Sequence, residues 1–355
     1  MKSKVYFVRS NGKDLQSRRN CLLKLLEALG PEIAYKKDEF VPVKITIGDS
    51  ECVYHVDPEL VKLVISDIKD KKAKPFLFDT NVIYKGSRLN AVDHLTLALN
   101  KRFSHSRIGA PFIIADGLFG QDGSTYDIDS EYIKKVKIPS FIGMVDSVVV
   151  LSHVTSHILS GFAAGIKNVA MGMSSKSTKQ IQHSSLKPQV IQKKCTACGL
   201  CIKICPVNAI TSDKDTSKAA IDRSICVGCG ECLCACKFDA IGVNWHEDVD
   251  IFIKRTVDVA KFILSKFKNK LFINFAFDIT KECDCISTKD EPMISDDIGI
   301  IASRDILSMD KATIDIMNKA GDVILKERPG NSYKKIFEYA HKIGLGNIDY
   351  NLIEL

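Results

Sequence analysis

Short apolar runs alternate with longer amphipathic stretches at both ends of this chain. Residues 5–8 read as a strand, 15–29 as a helix with apolar positions three and four apart, 43–47 as a strand and 60–71 as a helix. Residues 75–78 then predict a short strand, 88–102 a helix and 112–115 a strand. The β-branched run at 147–151 predicts a buried strand, with a helix opening at about Ser156. The same grammar returns later, with helices over 249–266, 311–320 and 332–343 and strands over 271–277 and 298–302. Such alternation predicts an α/β domain with a mainly parallel sheet. Residues 1–187 form its first part and 248–355 its second, interrupted by residues 188–247. Residues 180–194, rich in Gln, Ser and Lys, read as the linker into the interruption.

The interruption carries the strongest chemistry. Cys195, Cys198, Cys201 and Cys205 repeat their spacing in Cys226, Cys229, Cys232 and Cys236, and Pro206 follows the first run. Both runs are C-x2-C-x2-C-x3-C, the spacing that holds [4Fe–4S] cubanes, the fourth cysteine of each run ligating the other run's cluster. One cluster is therefore assigned to Cys195, Cys198, Cys201 and Cys236, and the other to Cys226, Cys229, Cys232 and Cys205. Ala197, Gly199, Gly228 and Gly230 let the backbone approach the inorganic sulfides with its N–H groups. Zinc held by the C-x2-C pairs is the plainer alternative, but two identical four-cysteine sets argue against it. The additional Cys234 reads as a small buried hydrophobe.

With 355 residues and 45% hydrophobic content, the chain is long enough for a sizeable core beyond a module of this kind. The formal charge of +7 is reduced by the negative charge of two thiolate-ligated cubanes. The lysines are spread along the chain, so nothing points to nucleic acid. Thirteen cysteines, oxygen-sensitive clusters, no apolar signal core and no long apolar run predict a cytoplasmic protein away from membranes.

Several positions in the α/β part are candidates for chemistry. Cys283 and Cys285, in Glu-Cys-Asp-Cys after the strand at 271–277, project the same way from an extended segment and are read as a metal or redox pair, with exposed sulfurs. His153 and His157, four apart, share a face if a helix begins there, which makes them candidate ligands or merely part of a capped helix start. Asp79-Thr80-Asn81 and Asp116-Gly117 also fall beyond strand C-termini, where open α/β sheets bind ligands. Gly161, Gly165 and Gly172 read as a tightly packed helix, with Lys167 available to an anion, and Tyr84 to Arg88 as a solvated turn or a cationic helix start.

Residues 189–244 resemble the bacterial two-cluster ferredoxins at every ligand position, with Lys237 standing where that family often has proline. The segments Asp79-Thr80-Asn81 through Tyr84 and Arg88, Ser152-His153 through Gly161 to Asn168, Cys283-Asp284-Cys285, and Asp297 to Ile300 with Ser303 and Asp305 resemble the DUF362 family of iron–sulfur centre proteins. That resemblance implies an α/β domain with an inserted α+β ferredoxin module, and it names no reaction. There is also a distant likeness to nickel-pincer racemases. The leading expectation is single-electron transfer through two [4Fe–4S] clusters, between a redox partner protein and a site around His153, His157, Cys283 and Cys285, with an oxidoreductase reaction on a small molecule left open. Two alternatives are a ferredoxin-type carrier whose α/β domain only binds a partner, and a metal or cluster delivery protein using those four residues as a third metal site.

Overall fold

The computed structural model describes residues 2–355 except 85, 184–186, 206, 227–231, 233–235, 237, 239, 244–248, 286–287 and 322–331. Strands β1 (Ser3–Arg9), β2 (Phe40–Lys44), β3 (Lys74–Asp79) and β4 (Phe112–Ile114) come first, followed by the hairpin of β5 (Ser124–Asp127) and β6 (Lys135–Ile138). After β7 (Ser147–His153), β8 (Thr155–His157) and β9 (Gly161–Ala163) form a second hairpin. Next come β10 (Pro188–Val190), β11 (Ile210–Ser212), β12 (Ala219–Ile221) and β13 (Ile241–Val243), then β14 (Asn269–Ala276), β15 (Gly299–Ser303) and β16 (Tyr350–Glu354). The helices are α1 (Leu15–Leu29), α2 (Pro58–Asp70), α3 (Ala91–Asn100), α4 (His105–Ile108), α5 (Gly165–Gly172), α6 (Lys176–Gln182), α7 (Leu200–Ile204), α8 (Val249–Ser265), α9 (Ile306–Lys319) and α10 (Ser332–Lys342).

The central sheet has the order β16-β1-β15-β14-β7-β2-β3-β4. Neighbours are parallel except where β15 runs against β1 and β14. Side chains alternate between its faces, as the pleat requires. Val148 and Val150 of β7 join one apolar cluster with α5, α8, α9 and α10, while Val149 and Leu151 join another with α1 and α2. The result is an α/β fold in three layers, with a mainly parallel sheet buried on both faces.

Residues 188–243 pair among themselves. β10 pairs with β13 and β11 with β12, both antiparallel, around a separate small cluster of Cys201, Ile210, Ala219, Cys232, Cys236, Ala240 and Ile241. Among the described residues, no helix is long and apolar enough to cross a membrane.

Most expected elements shift by a few residues, and caps explain several of the shifts. The helix expected from 88 begins at Ala91 because the Asn90 side chain accepts from Asp93 N, and the one expected from 311 begins at Ile306 behind Asp305, which accepts from Ser308 N. The strand expected at 43–47 lies at Phe40–Lys44.

The helix expected from Ser156 is absent, and the β8–β9 hairpin takes its place. The ring Nδ1 of His157 accepts from Ser160 N at 3.1 Å and bonds Ser160 Oγ at 2.7 Å, and Gly161 turns the chain at φ +71°. Local side-chain bonds of this kind compete with helical ones. The helix starts instead at Gly165, where the buried Asp310 carboxylate of α9 accepts from the backbone N–H of Gly165 (3.0 Å) and Ile166 (2.8 Å) and from Asn274 Nδ2 (2.9 Å). Burial pushes that carboxyl up to about 6 against those three donors.

Asp310→Ala is expected to cost about 2–3 kcal/mol in thermal or denaturant unfolding at pH 7 by stranding buried donors. The native carboxyl takes up its proton near pH 6 and the unfolded one near 3.8, so wild-type folding gains stability as pH falls between them. The gap between wild type and variant should therefore widen from pH 7 to pH 5; a constant gap contradicts the assignment.

Candidate redox site and a cysteine-lined cavity

Charged side chains shut off from solvent gather at the C-terminal ends of β2, β3 and β7. Lys44 closes β2, and its Nζ lies 3.1 Å from Asp79 Oδ1 at the end of β3. It also donates to Ile45 O (2.8 Å), Thr46 Oγ1 (3.2 Å) and Asn168 Oδ1 (2.8 Å). Asn168, on α5, donates in turn to Leu151 O at 2.9 Å, so the lysine joins β2, β3 and the helix packed on β7. The other oxygen of Asp79 faces Arg88 Nη1 at 3.6 Å and His94 Nε2 at 3.5 Å. Burial opposes the Asp79 charge, but Lys44 and then His94 and Arg88 outweigh it and hold the carboxyl well below its usual value.

Alongside, Asp116 accepts from Asn81 N and Asn81 Nδ2, both at 2.9 Å, while Lys179 donates to Thr80 Oγ1 at 2.7 Å and to the Asn81 carbonyl. Burial pushes Asp116 up to about 6 and Lys179 down to about 8. The Asp79-Thr80-Asn81 and Asp116-Gly117 segments thus meet at the sheet edge where sequence reasoning put them.

The Cys283–Cys285 loop closes over this network. Arg18 of α1 anchors its start, donating to both Asp278 oxygens (2.6 and 2.8 Å) and to Asp297 Oδ2 (2.9 Å), with its guanidinium 4.8 Å from the Phe277 ring. Asp49 N donates to Asp284 O at 3.1 Å and ties in the loop after β2. Cys283 is 6% exposed and Cys285 only partly exposed, so the expectation of two exposed thiols needs correction for both.

The Cys283 thiol hydrogen-bonds Cys285, and that bond is the largest influence holding Cys285 well below the ordinary thiol value. The charges of Lys167 and Arg88 and a hydrogen bond from Tyr84 act in the same direction, against burial. The bond to Cys285, with burial, drives Cys283 up, so negative charge on the pair is favoured on Cys285. Burial works against Lys167 being charged, and the two sulfurs reverse it.

His153 ends β7 with both ring nitrogens facing acceptors. Nδ1 donates to Asp284 Oδ1 at 2.7 Å and Nε2 to Phe277 O at 2.8 Å. Only imidazolium satisfies both, in keeping with a pKa that Asp284 raises against the effect of burial. This takes His153 out of the metal set with Cys283, Cys285 and His157, because an imidazolium has no lone pair to offer. His157 is built into the β8–β9 turn instead, stacked against Phe252 at 6.3 Å. Among the described residues, no group of three His, Cys, Asp or Glu side chains is arranged to hold a single metal ion.

In the 188–243 segment, Cys195, Cys198, Cys201 and Cys236 line one small cavity of about 20 Å³. Gly199 in the same wall has φ +71° and open space where a Cβ would stand. Cys205 Sγ accepts from Ala209 N and Cys236 Sγ from Ala240 N, both at 3.2 Å, so the fourth cysteine of each run is held in the same way. Of the other run, Cys226 and Cys232 are described, while Cys229, like Cys234, lies outside the described residues.

Sequence reasoning missed Lys44, Asp49, His94, Lys179 and Arg18. Lys44 had a readable signal, a lysine inside the apolar run 41–47, where an unpaired charge cannot stay. The Gly165 and Gly172 expectation of tight packing holds: a Cβ on Gly172 would lie 2.3 Å from Lys44 Cε.

Asp284→Asn is expected to cost about 3 kcal/mol by leaving His153 buried without its partner charge. The raised His153 pKa stabilises fully below the ordinary 6.5, and that contribution is lost as pH rises through the folded value; the lowered Asp284 pKa stabilises above 3.8 and is lost as pH falls below it. Unfolding followed over pH should show the largest wild-type advantage between these limits, shrinking as pH climbs; an advantage independent of pH contradicts the ion pair.

No curated protein matches the chain. Among solved structures it is similar to the lactate racemase apoprotein from Thermoanaerobacterium thermosaccharolyticum, with 12% identity and a TM-score of 0.45 over 91% of this chain and 58% of that one. A structural-genomics protein from Thermotoga maritima gives 10% identity and a TM-score of 0.43 over 93% of this chain and 60% of that one. The chain therefore spans about three-fifths of the length of these two structures. The family described as a domain of unknown function, DUF362, matches residues 41–315, and the chain belongs to that family.

Proposed function

We propose that this is an iron–sulfur protein that passes single electrons through two [4Fe–4S] clusters, held in a ferredoxin-like module inserted at residues 188–247, to or from the Cys283–Cys285 site of the α/β domain. The observation that carries this reading is the cavity walled by Cys195, Cys198, Cys201 and Cys236, the set that the cross-ligation rule assigns to one cluster. The donor set is four thiols, and the wall residue Gly199 leaves the backbone open. For the second cluster the donors are Cys226, Cys229, Cys232 and Cys205. A bound cubane supplies one-electron oxidation and reduction without proton transfer.

The chain's own residues do the rest. The Ala209 and Ala240 N–H groups stabilise negative charge on Cys205 and Cys236 and so favour the reduced state. Burial lifts the Cys201 thiol, so the apo-protein holds a proton there that metal must displace. In the α/β domain, Lys167, Arg88 and Tyr84 surround a thiolate that can exchange charge with a bound molecule. Cytoplasmic residence and a protein redox partner belong to this reading.

Anaerobic metal and sulfide analysis tests it. The parent is expected to carry about eight irons and eight sulfides per chain, and Cys201→Ser to lose about half of both. Zinc in place of iron, or iron content indifferent to Cys201→Ser, overturns the proposal. Loss of cluster reduction by a partner in Cys283→Ser/Cys285→Ser is not expected, whereas turnover of any small-molecule substrate should vanish. Turnover unchanged in that variant leaves the α/β domain as a docking surface only.

A further inference from the structure

Cys283 and Cys285 differ in every property that separates the attacking thiol of an exchange pair from the resolving one. Cys285 is partly exposed and Cys283 is 6% exposed. One residue separates them, so in an extended segment their side chains project the same way, and each is the largest influence on the other's thiol. The groups that face Cys285 come from four elements: Lys44 at the end of β2, Tyr84 and Arg88 after β3, Lys167 on α5 and His183 after α6, with Asp284 between the two cysteines. His183 is neutral, as burial takes it down to about 4. Asp284 is matched by the His153 imidazolium. Among the described residues that leaves Lys44, Arg88 and Lys167 as the cations, set against Asp79, Asp49 and the negative charge on Cys285. Cations that balance a sulfur's charge in this way are the setting in which a thiolate is kept ready to attack.

We infer that Cys283 and Cys285 are a dithiol that closes to an intramolecular disulfide by reaction with a small-molecule disulfide, Cys285 attacking and Cys283 resolving. This deepens the reading of the α/β site as the redox end of the protein and rests on it for biological direction. In the first step the Cys285 thiolate bonds to one sulfur of R–S–S–R, the S–S bond breaks and one thiolate RS⁻ leaves. In the second the Cys283 sulfur bonds to Cys285 and displaces the remaining RS⁻, and the Cys283 proton passes to one of the departing thiolates. Cys283–SH, Cys285–S⁻ and R–S–S–R thus become the Cys283–Cys285 disulfide, RSH and RS⁻. The cysteine pair loses two electrons and the substrate gains them. Lys167 is a positioning residue that holds the charge on sulfur.

Cys21 and Cys52 provide the internal comparison. Both are buried, Cys21 has its thiol pushed up chiefly by burial, and Cys52 donates to Tyr54 O at 3.0 Å. The experiment takes the full-length, cluster-loaded protein, exposes it anaerobically to oxidised glutathione, quenches it in acid and counts alkylated cysteines by peptide mass spectrometry. Cys283 and Cys285 should disappear together from the alkylatable pool as a linked pair while Cys21 stays. Cys283→Ser should accumulate a mixed disulfide with glutathione at Cys285, and Cys285→Ser should leave Cys283 unmodified.

Iodoacetamide at pH 7 should label Cys285 at least about tenfold faster than Cys21, as expected of a thiolate beside an ordinary thiol. Lys167→Gln should move the pH midpoint of that labelling upward, which a purely structural lysine would not do. Equal labelling of Cys285 and Cys21, or no linked pair in the wild-type protein, overturns the inference, and the wild-type result decides even if a variant fails to fold. Iron and sulfide measured on the same samples keep the two proposals apart: absent iron with a linked pair sinks the clusters alone, and full iron without a linked pair sinks the dithiol alone.

Discussion

The salt bridge between Lys44 and Asp79, 3.1 Å long with both ends shut off from solvent, is the constraint around which the working edge of this sheet is arranged. A buried pair repays its desolvation only when the remaining donors and acceptors are used. Here Lys44 has Ile45 O, Thr46 and Asn168 as further acceptors within reach, and the second oxygen of Asp79, without a hydrogen bond among the described residues, faces the charge of Arg88 at 3.6 Å and the ring of His94 at 3.5 Å. Asn168 fixes α5, and α5 carries Lys167 to Cys283. Arg88, restrained by Asp79 and Asp49, donates to Tyr84 and faces Cys285. One carboxylate therefore sets the position of two of the cations that keep a thiolate at Cys285. Without it, Lys44 would lose its counter-charge and Arg88 one of two, and β2, β3 and α5 would lose their common partner.

The 188–243 segment is stabilised on a different principle. Its apolar cluster contains three of the cysteines, Cys201, Cys232 and Cys236, among only a few aliphatic residues. A unit this small buries too little apolar surface to be robust alone, and ligand bonds are the usual supplement. Its two antiparallel ladders bring the ends of the segment together at β10 and β13, so it can sit between α6 and α8 without disturbing the strand order of the main sheet. The α/β part is built around buried charge and the 188–243 segment around a cluster rich in cysteines, and in the proposed reading this gives the two parts different sensitivities to pH and to metal.

Much of this was legible in the sequence because it is local. Period-two and period-3.6 patterns marked β1, α1, β3, β7 and α8, and the cysteine spacing marked four thiols that do line one cavity. Cys283, Cys285 and Lys167 were singled out and come together. What stayed hidden depends on partners far along the chain. Lys44 and Asn168 are 124 positions apart, and Arg18 and Asp278 are 260 apart, so no window of sequence contains either bond. His153 and His157 were misread because four-residue spacing implies a shared face only in a helix, and a serine-and-glycine turn supplied a hairpin instead. β16 was missed because five residues near the end of the chain become a strand only by pairing with β1.

The central claim is that the paired cysteine runs hold two one-electron centres within one small unit. Electron paramagnetic resonance of the dithionite-reduced protein tests it most directly. The account predicts about two unpaired spins per chain, in a spectrum broadened by interaction between neighbouring cubanes. A reduced protein that is silent, or that gives a single isolated centre, would contradict it.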